Sequence, residues 1–131
     1  MLKRVPVMSL LGSVLLSGMV PAIAQTRVKA LPASFFGQWG WDAESCAKRD
    51  DDGQVTVKAR SVDFYASGYS LRVIVAQPNG VFRATAVTSE EGEAGRSRGK
   101  IDLKLVAPDR LSIKTDASGD HVYVRCAATR P

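Results

Sequence analysis

Few side chains in this chain of 131 residues have types and spacings that could do chemistry, and each is quickly bounded. His121 is the single histidine, which removes any histidine-based zinc set. It follows Asp120, but neighbours on a strand point to opposite faces, and no activated-serine motif accompanies them. The run Asp50-Asp51-Asp52-Gly53 offers oxygen ligands for calcium but lacks the alternate spacing of an EF-hand loop, so it reads as a solvated acidic turn. Glu90, Glu91 and Glu93 read the same way. No enzyme, no metal and no cofactor are expected. Cys46 and Cys126 are the only thiols, 80 positions apart, and their chemistry depends on compartment.

The amino end supplies the compartment. Lys3 and Arg4 precede an uncharged stretch from Val5 to Ile23 that closes in Ala22-Ile23-Ala24, the pattern of a secretory signal peptide over residues 1–24. Its apolar centre is interrupted by Ser9, Gly12, Ser13, Ser17 and Gly18, which makes it short for a membrane span of roughly 20 apolar residues. Cleavage is expected between Ala24 and Gln25, with an uncleaved anchor as the alternative, and the product is expected to be periplasmic or secreted. No cysteine follows that point to take a lipid, and no twin arginine precedes it. In an oxidising compartment an even cysteine count reads as pairing, here with one connectivity, against the alternative of two separate buried thiols. Closing a loop of 80 residues has an upper estimate of roughly 4 to 5 kcal/mol.

Without the first 24 residues, 107 remain, enough for one domain with one core. The 18 basic residues fall to 16 against 13 acidic ones, a surplus of three spread among interleaved signs. That excludes a strong nucleic-acid field.

Local patterns predict an all-β fold. Residues 25–34, with Pro32 and no periodicity, read as a mobile or extended arm, and the domain runs from Phe35 to Pro131. A strand carries Gly37, Trp39 and Trp41 on one face, and Asp42 caps a short helical turn that ends near Cys46. Short strands follow at 55–59 and 62–65. Tyr69 to Ala76 alternates with Leu71, Val73 and Val75 on one face, and Gln77-Pro78-Asn79-Gly80 turns the chain into Val81 to Thr88, whose inward face the pattern leaves open. Ile101, Leu103 and Leu105 alternate with charges, Leu111 and Ile113 face inward next, and Val122 and Val124 do so in the last strand. About eight short strands in simple succession suit a small antiparallel up-and-down barrel, since closure removes exposed edges.

On the motif Gly37-Gln38-Trp39 near the start and Tyr123-Val124-Arg125-Cys126 at the finish, the chain resembles the lipocalin-like (calycin) barrels, and small envelope proteins of Gram-negative bacteria with the same frame. The resemblance implies that Gly37, Trp39 and Arg125 are closure residues, Arg125 lying over the Trp39 indole. The chain is shorter than ligand-carrying lipocalins and lacks their Thr-Asp-Tyr loop and terminal helix. It is closer in size to the lipocalin-like inhibitors of bacterial secreted metalloproteases, whose amino-terminal arm enters the protease. By that analogy Arg27, Val28, Lys29 and Leu31 are candidate contacts with a protein partner, although this chain's cysteine link would reach the C-terminus.

The expected function is therefore a non-catalytic binding module, in concrete form a hydrolase or protease inhibitor, and a monomer. The alternatives are a carrier for a small apolar ligand inside the barrel and, third, an enzyme. Three surface readings remain open. Lys58, Arg60, Arg72, Arg83, Arg98, Lys100, Lys104 and Lys114 fall largely on outward positions, either as an anion-facing wall or for solubility. Trp39 and Trp41 line a mouth or pack a closed end. Phe35, Phe36, Tyr65 and Tyr69 offer an aromatic patch if they lie together.

Overall fold

Alternation along the strands builds one core, and in the computed structural model it curls the sheet until its edges meet. The structure describes residues 25–48 and 52–127 together with Gly12 and Gly18. The signal peptide and its cleavage site, and Asp50-Asp51 of the acidic turn, lie outside the described residues. The elements are β1 (Thr26–Val28), a 3-10 turn (Ala33–Phe35), β2 (Gly37–Gly40), α1 (Ala43–Ala47), β3 (Gln54–Lys58), β4 (Ser61–Phe64), β5 (Ser67–Ala76), β6 (Phe82–Glu90), β7 (Ser97–Ala107), β8 (Arg110–Thr115) and β9 (His121–Arg125). Each strand from β2 to β9 pairs antiparallel with the next, and β9 pairs back onto β2. The fold is all-β, a closed up-and-down barrel of eight strands, with a short helix at Cys46.

The interior is filled by side chains. Trp39, Val55, Val57, Val62, Leu71, Ile74, Ile101, Leu103 and Leu111 are essentially inaccessible and belong to one cluster. On β7 and β8 the inward residues are those the alternation predicts, with Leu105 half-buried against the same cluster. On β6 the open choice resolves to Phe82, Ala84 and Ala86 inward.

Two strands depart from expectation. A β-bulge between Leu71 and Val73 inserts one residue, so Ile74 is buried in place of Val73 and Val75. On β9 it is Tyr123 that is buried, while Val122 is 42 % exposed. Val122 and Val124 occupy the outward phase because Trp39 and Arg125 are register partners, and residues opposite one another share a face.

The arm is docked. β1 pairs antiparallel with the second half of β5, in line with β4, which holds the first half of the same edge. Leu31 and Phe35 are buried, and Phe35 meets Phe82 edge-on at 5.2 Å. The segment read as a mobile or extended arm, residues 25–34, thus holds a strand at Thr26–Val28 and enters a 3-10 turn at Ala33–Phe35, and with Phe35 it forms a plug fixed against the barrel. The gap between β1 and β4 falls at the bulge, and Arg60 fills it. Its guanidinium donates to the carbonyls of Leu71 and Arg72, both at 3.1 Å, and to that of Lys29. Leu71 N–H donates to Arg60 O at 2.8 Å, and Leu31 N–H to Ala59 O at 2.8 Å. Arg60 therefore serves the backbone and not an anion-facing wall.

Phe35→Ala removes a buried ring from the plug and should destabilise the fold by about 3 to 5 kcal/mol, while Phe36→Ala, at an exposed site, should change it by less than about 0.5 kcal/mol. Urea unfolding of the two variants checks the contrast; equal losses would contradict the docked plug.

Candidate functional site

The two ends of the barrel differ in chemistry. At the base, Trp39 is fully buried and its indole N–H donates to Phe35 O at 3.1 Å, tying the strand to the plug. Arg125 lies across the ring, its guanidinium carbon 4.2 Å from the centroid. The same guanidinium donates to Phe36 O at 3.0 Å, Ser34 O at 2.7 Å and Pro108 O at 3.3 Å. One planar cation thus satisfies carbonyls from the plug and from the β7–β8 turn while stacking on an indole, which a lysine cannot reproduce. Gly37 sits beside it with φ +123°, a backbone conformation that disfavours any side chain.

The staple lies outside the wall. Asp42 accepts from Ser45 N–H at 2.8 Å and starts α1, which carries Cys46 over β2. Cys46 is bonded to Cys126, whose backbone N–H donates to Gln38 O at 2.9 Å. Gly40 makes room: a Cβ there would lie 2.9 Å from the Cys46 sulfur. These contacts of Trp39, Cys46, Arg125 and Cys126 all cross the seam between β2 with its following helix and β9.

The opposite end is aromatic. Trp41 continues the β2 alternation past Trp39, its N–H donating to Gly53 O at 3.0 Å, yet its side chain is 53 % exposed. The indole lies 5.1 Å from the His121 ring, which meets Tyr123 edge-on at 4.8 Å. His121 is therefore held between two rings. Burial pushes the Tyr123 hydroxyl above the ordinary tyrosine value, and a hydrogen bond with Trp41 acts the other way. Trp39 and Trp41 are thus divided between the buried base and an exposed rim.

The other candidates are scattered. Arg27 and Lys29 are exposed on the docked segment, Val28 is half-buried, and Leu31 is buried. Phe35 and Tyr69 are buried while Phe36 and Tyr65 are exposed, so the four form no common patch. Among the described residues, no group of three or more His, Cys, Asp or Glu side chains is placed to hold a metal ion. No helix among them is long and apolar enough to cross a membrane. The sequence reading missed the Trp41–His121–Tyr123 ladder. Alternation from Arg125 places His121 and Tyr123 on its own face, and Trp41 on that of Trp39, so the signal was present in the phase.

No known family model, curated protein or solved structure matches the chain.

Two outcomes test this geometry. Arg125→Lys keeps the charge but loses the planar fork, and should cost about 1 to 3 kcal/mol in chemical unfolding; a neutral result would contradict the closure role. Because the folded pKa of Tyr123 is raised, its linked stability is fully present below the ordinary tyrosine value of about 10 and is lost as pH rises through the folded value. A phenolate-absorbance titration of wild type minus Tyr123→Phe should place this group above that value, and a midpoint at or below it would remove the argument.

Proposed function

We propose that this chain is an exported, non-catalytic binding module of the cell envelope, lipocalin-like in build, that presents the Trp41 rim of its barrel to a protein partner. Inhibition of a protease or another hydrolase is its most concrete form. The observation that carries the reading is the half-exposed Trp41, braced by His121 and Tyr123 at the end opposite the sealed base. A rigid, partly exposed indole is the kind of anchor on which protein interfaces concentrate their affinity. The export reading draws on the signal pattern of residues 1–24, with cleavage after Ala24, and on the Cys46–Cys126 disulfide.

The filled interior favours a surface role over carriage of an apolar ligand. The docking of residues 25–36 favours the rim over the arm. Entry of the arm into an enzyme would strip β1 from β5 and pull Leu31 and Phe35 from the core, at a cost of several kcal/mol.

Affinity capture from envelope extract with wild type, Trp41→Ala and His121→Ala tests the reading. A protein retained by wild type should bind Trp41→Ala about tenfold or more weakly, with the unfolding midpoint unchanged. Equal retention by all three proteins would refute the rim as the binding surface. Loss of retention on Arg27→Ala and Lys29→Ala alone would return the role to the arm.

A further inference from the structure

We propose that the outer wall of β5, β6 and β7 holds a separate site for a phosphate-bearing ligand of about sugar size. It is a groove of about 440 Å³ lined by Arg72, Thr85, Val87, Arg98, Lys100 and Asp116. The site does not depend on the Trp41 reading.

The register builds the groove. Thr85 stands opposite Lys100, and Val87 opposite Arg98, on the outward face of the β6–β7 pair. On the other side, the bulge between Leu71 and Val73 takes Arg72 out of the β5–β6 ladder beside Thr85. Three cations therefore flank a floor made of a hydroxyl-bearing and an apolar side chain. Without the bulge, Arg72 would be an ordinary ladder residue.

What sets these cations apart is how the other arginines are occupied. Arg60 and Arg125 are engaged with backbone carbonyls. The fork of Arg83 is met by Asp102 at 3.0 and 3.1 Å, which holds its pKa further up. Among the described residues, no carboxylate forms an ion pair with Arg72, Arg98 or Lys100. Asp116 lines the groove, but both of its oxygens accept from the Lys100 backbone N–H at 3.1 Å, so the carboxylate is turned to the β7 backbone.

The ligand class follows from charge and size. Three cations and one carboxylate leave a surplus of two positive charges, matching a phosphate monoester, which carries about −1.5 to −2 at neutral pH. Guanidinium forks meet phosphate oxygens bidentately, and lysine adds a point charge. The volume lies within the roughly 300 to 1,000 Å³ of small-molecule sites, large enough for a ring beside the phosphate. Thr85 and Val87 would face that ring.

The test uses the purified protein, with glucose 1-phosphate as probe and glucose as control. Glucose 1-phosphate should shift the amide resonances of Arg72, Thr85, Val87, Arg98 and Lys100 saturably, and glucose should not. Arg72→Gln and Arg98→Gln should each weaken binding about tenfold, the loss of one charge-assisted hydrogen bond, while Arg83→Gln leaves it unchanged. All three side chains are exposed, so resonances elsewhere report an intact fold. Phosphatidylcholine vesicles with and without phosphatidic acid distinguish the sources of the phosphate. Retention on phosphatidic acid that the Arg72→Gln/Arg98→Gln double variant loses supports the site with a lipid headgroup as ligand. Glucose 1-phosphate binding without vesicle retention supports it with a soluble phosphoester. Absence of both, or binding that the double variant keeps, overturns the proposal. Loss of Trp41-dependent partner capture would leave these readouts untouched.

Discussion

The contact on which the rest depends is the Arg125 guanidinium over the Trp39 indole. A barrel of antiparallel hairpins builds itself locally around most of its circumference, but one seam must join strands from opposite ends of the sequence. Here that seam is β2 against β9, and it registers Trp39 with Arg125 and Gly40 with Val124, a short ladder beside the long one between β5 and β6. So few backbone hydrogen bonds make a weak closure. The guanidinium adds bonds to carbonyls of residues 89 and 91 positions away, and the disulfide adds a covalent link across 80. Both reinforce the same seam from opposite faces of the wall.

The fold was legible where a strand keeps one phase from end to end. On β7 and β8 polar residues alternate with Ile101, Leu103, Leu111 and Ile113, and the register irregularity of this pair falls beyond them, between Leu105 and Ala107. On β5 an inserted residue changes the phase between Leu71 and Val73, and no composition signal marks the step. On β9 two readings competed. Hydrophobicity favoured Val122 and Val124 inward, whereas an arginine facing Trp39 requires Tyr123 inward, since the two are separated by one residue. The seam decided it, because register across a pair overrides the apolar preference of one strand. The plug was illegible for a different reason. It is held by Leu31 and Phe35 singly and by a strand of three residues, too short for any period to show.

The arginines show how little a residue's type says about its employment. Arg60, Arg83, Arg72 and Arg98 all read as outward cations on a basic wall. Arg60 is spent on carbonyls that the bulge exposes, and Arg83 on Asp102. What remains is smaller and more localised than a wall. The same sorting applies to the aromatics, where Trp39 and Trp41 stand two positions apart yet serve opposite ends.

The placement of the seam also bears on how the chain comes to be closed. Synthesis and any threading through a pore run from the amino end, so Trp39 and Cys46 emerge well before Arg125 and Cys126. Hairpins between them can form one after another, but the ring stays open throughout, with β2 and β9 offering unpaired edges to any neighbouring strand. Pairings this distant in sequence close slowly. Loss of β9 would therefore remove the one event that retires both edges at once, leaving an open sheet whose β2 and β8 edges have no partner.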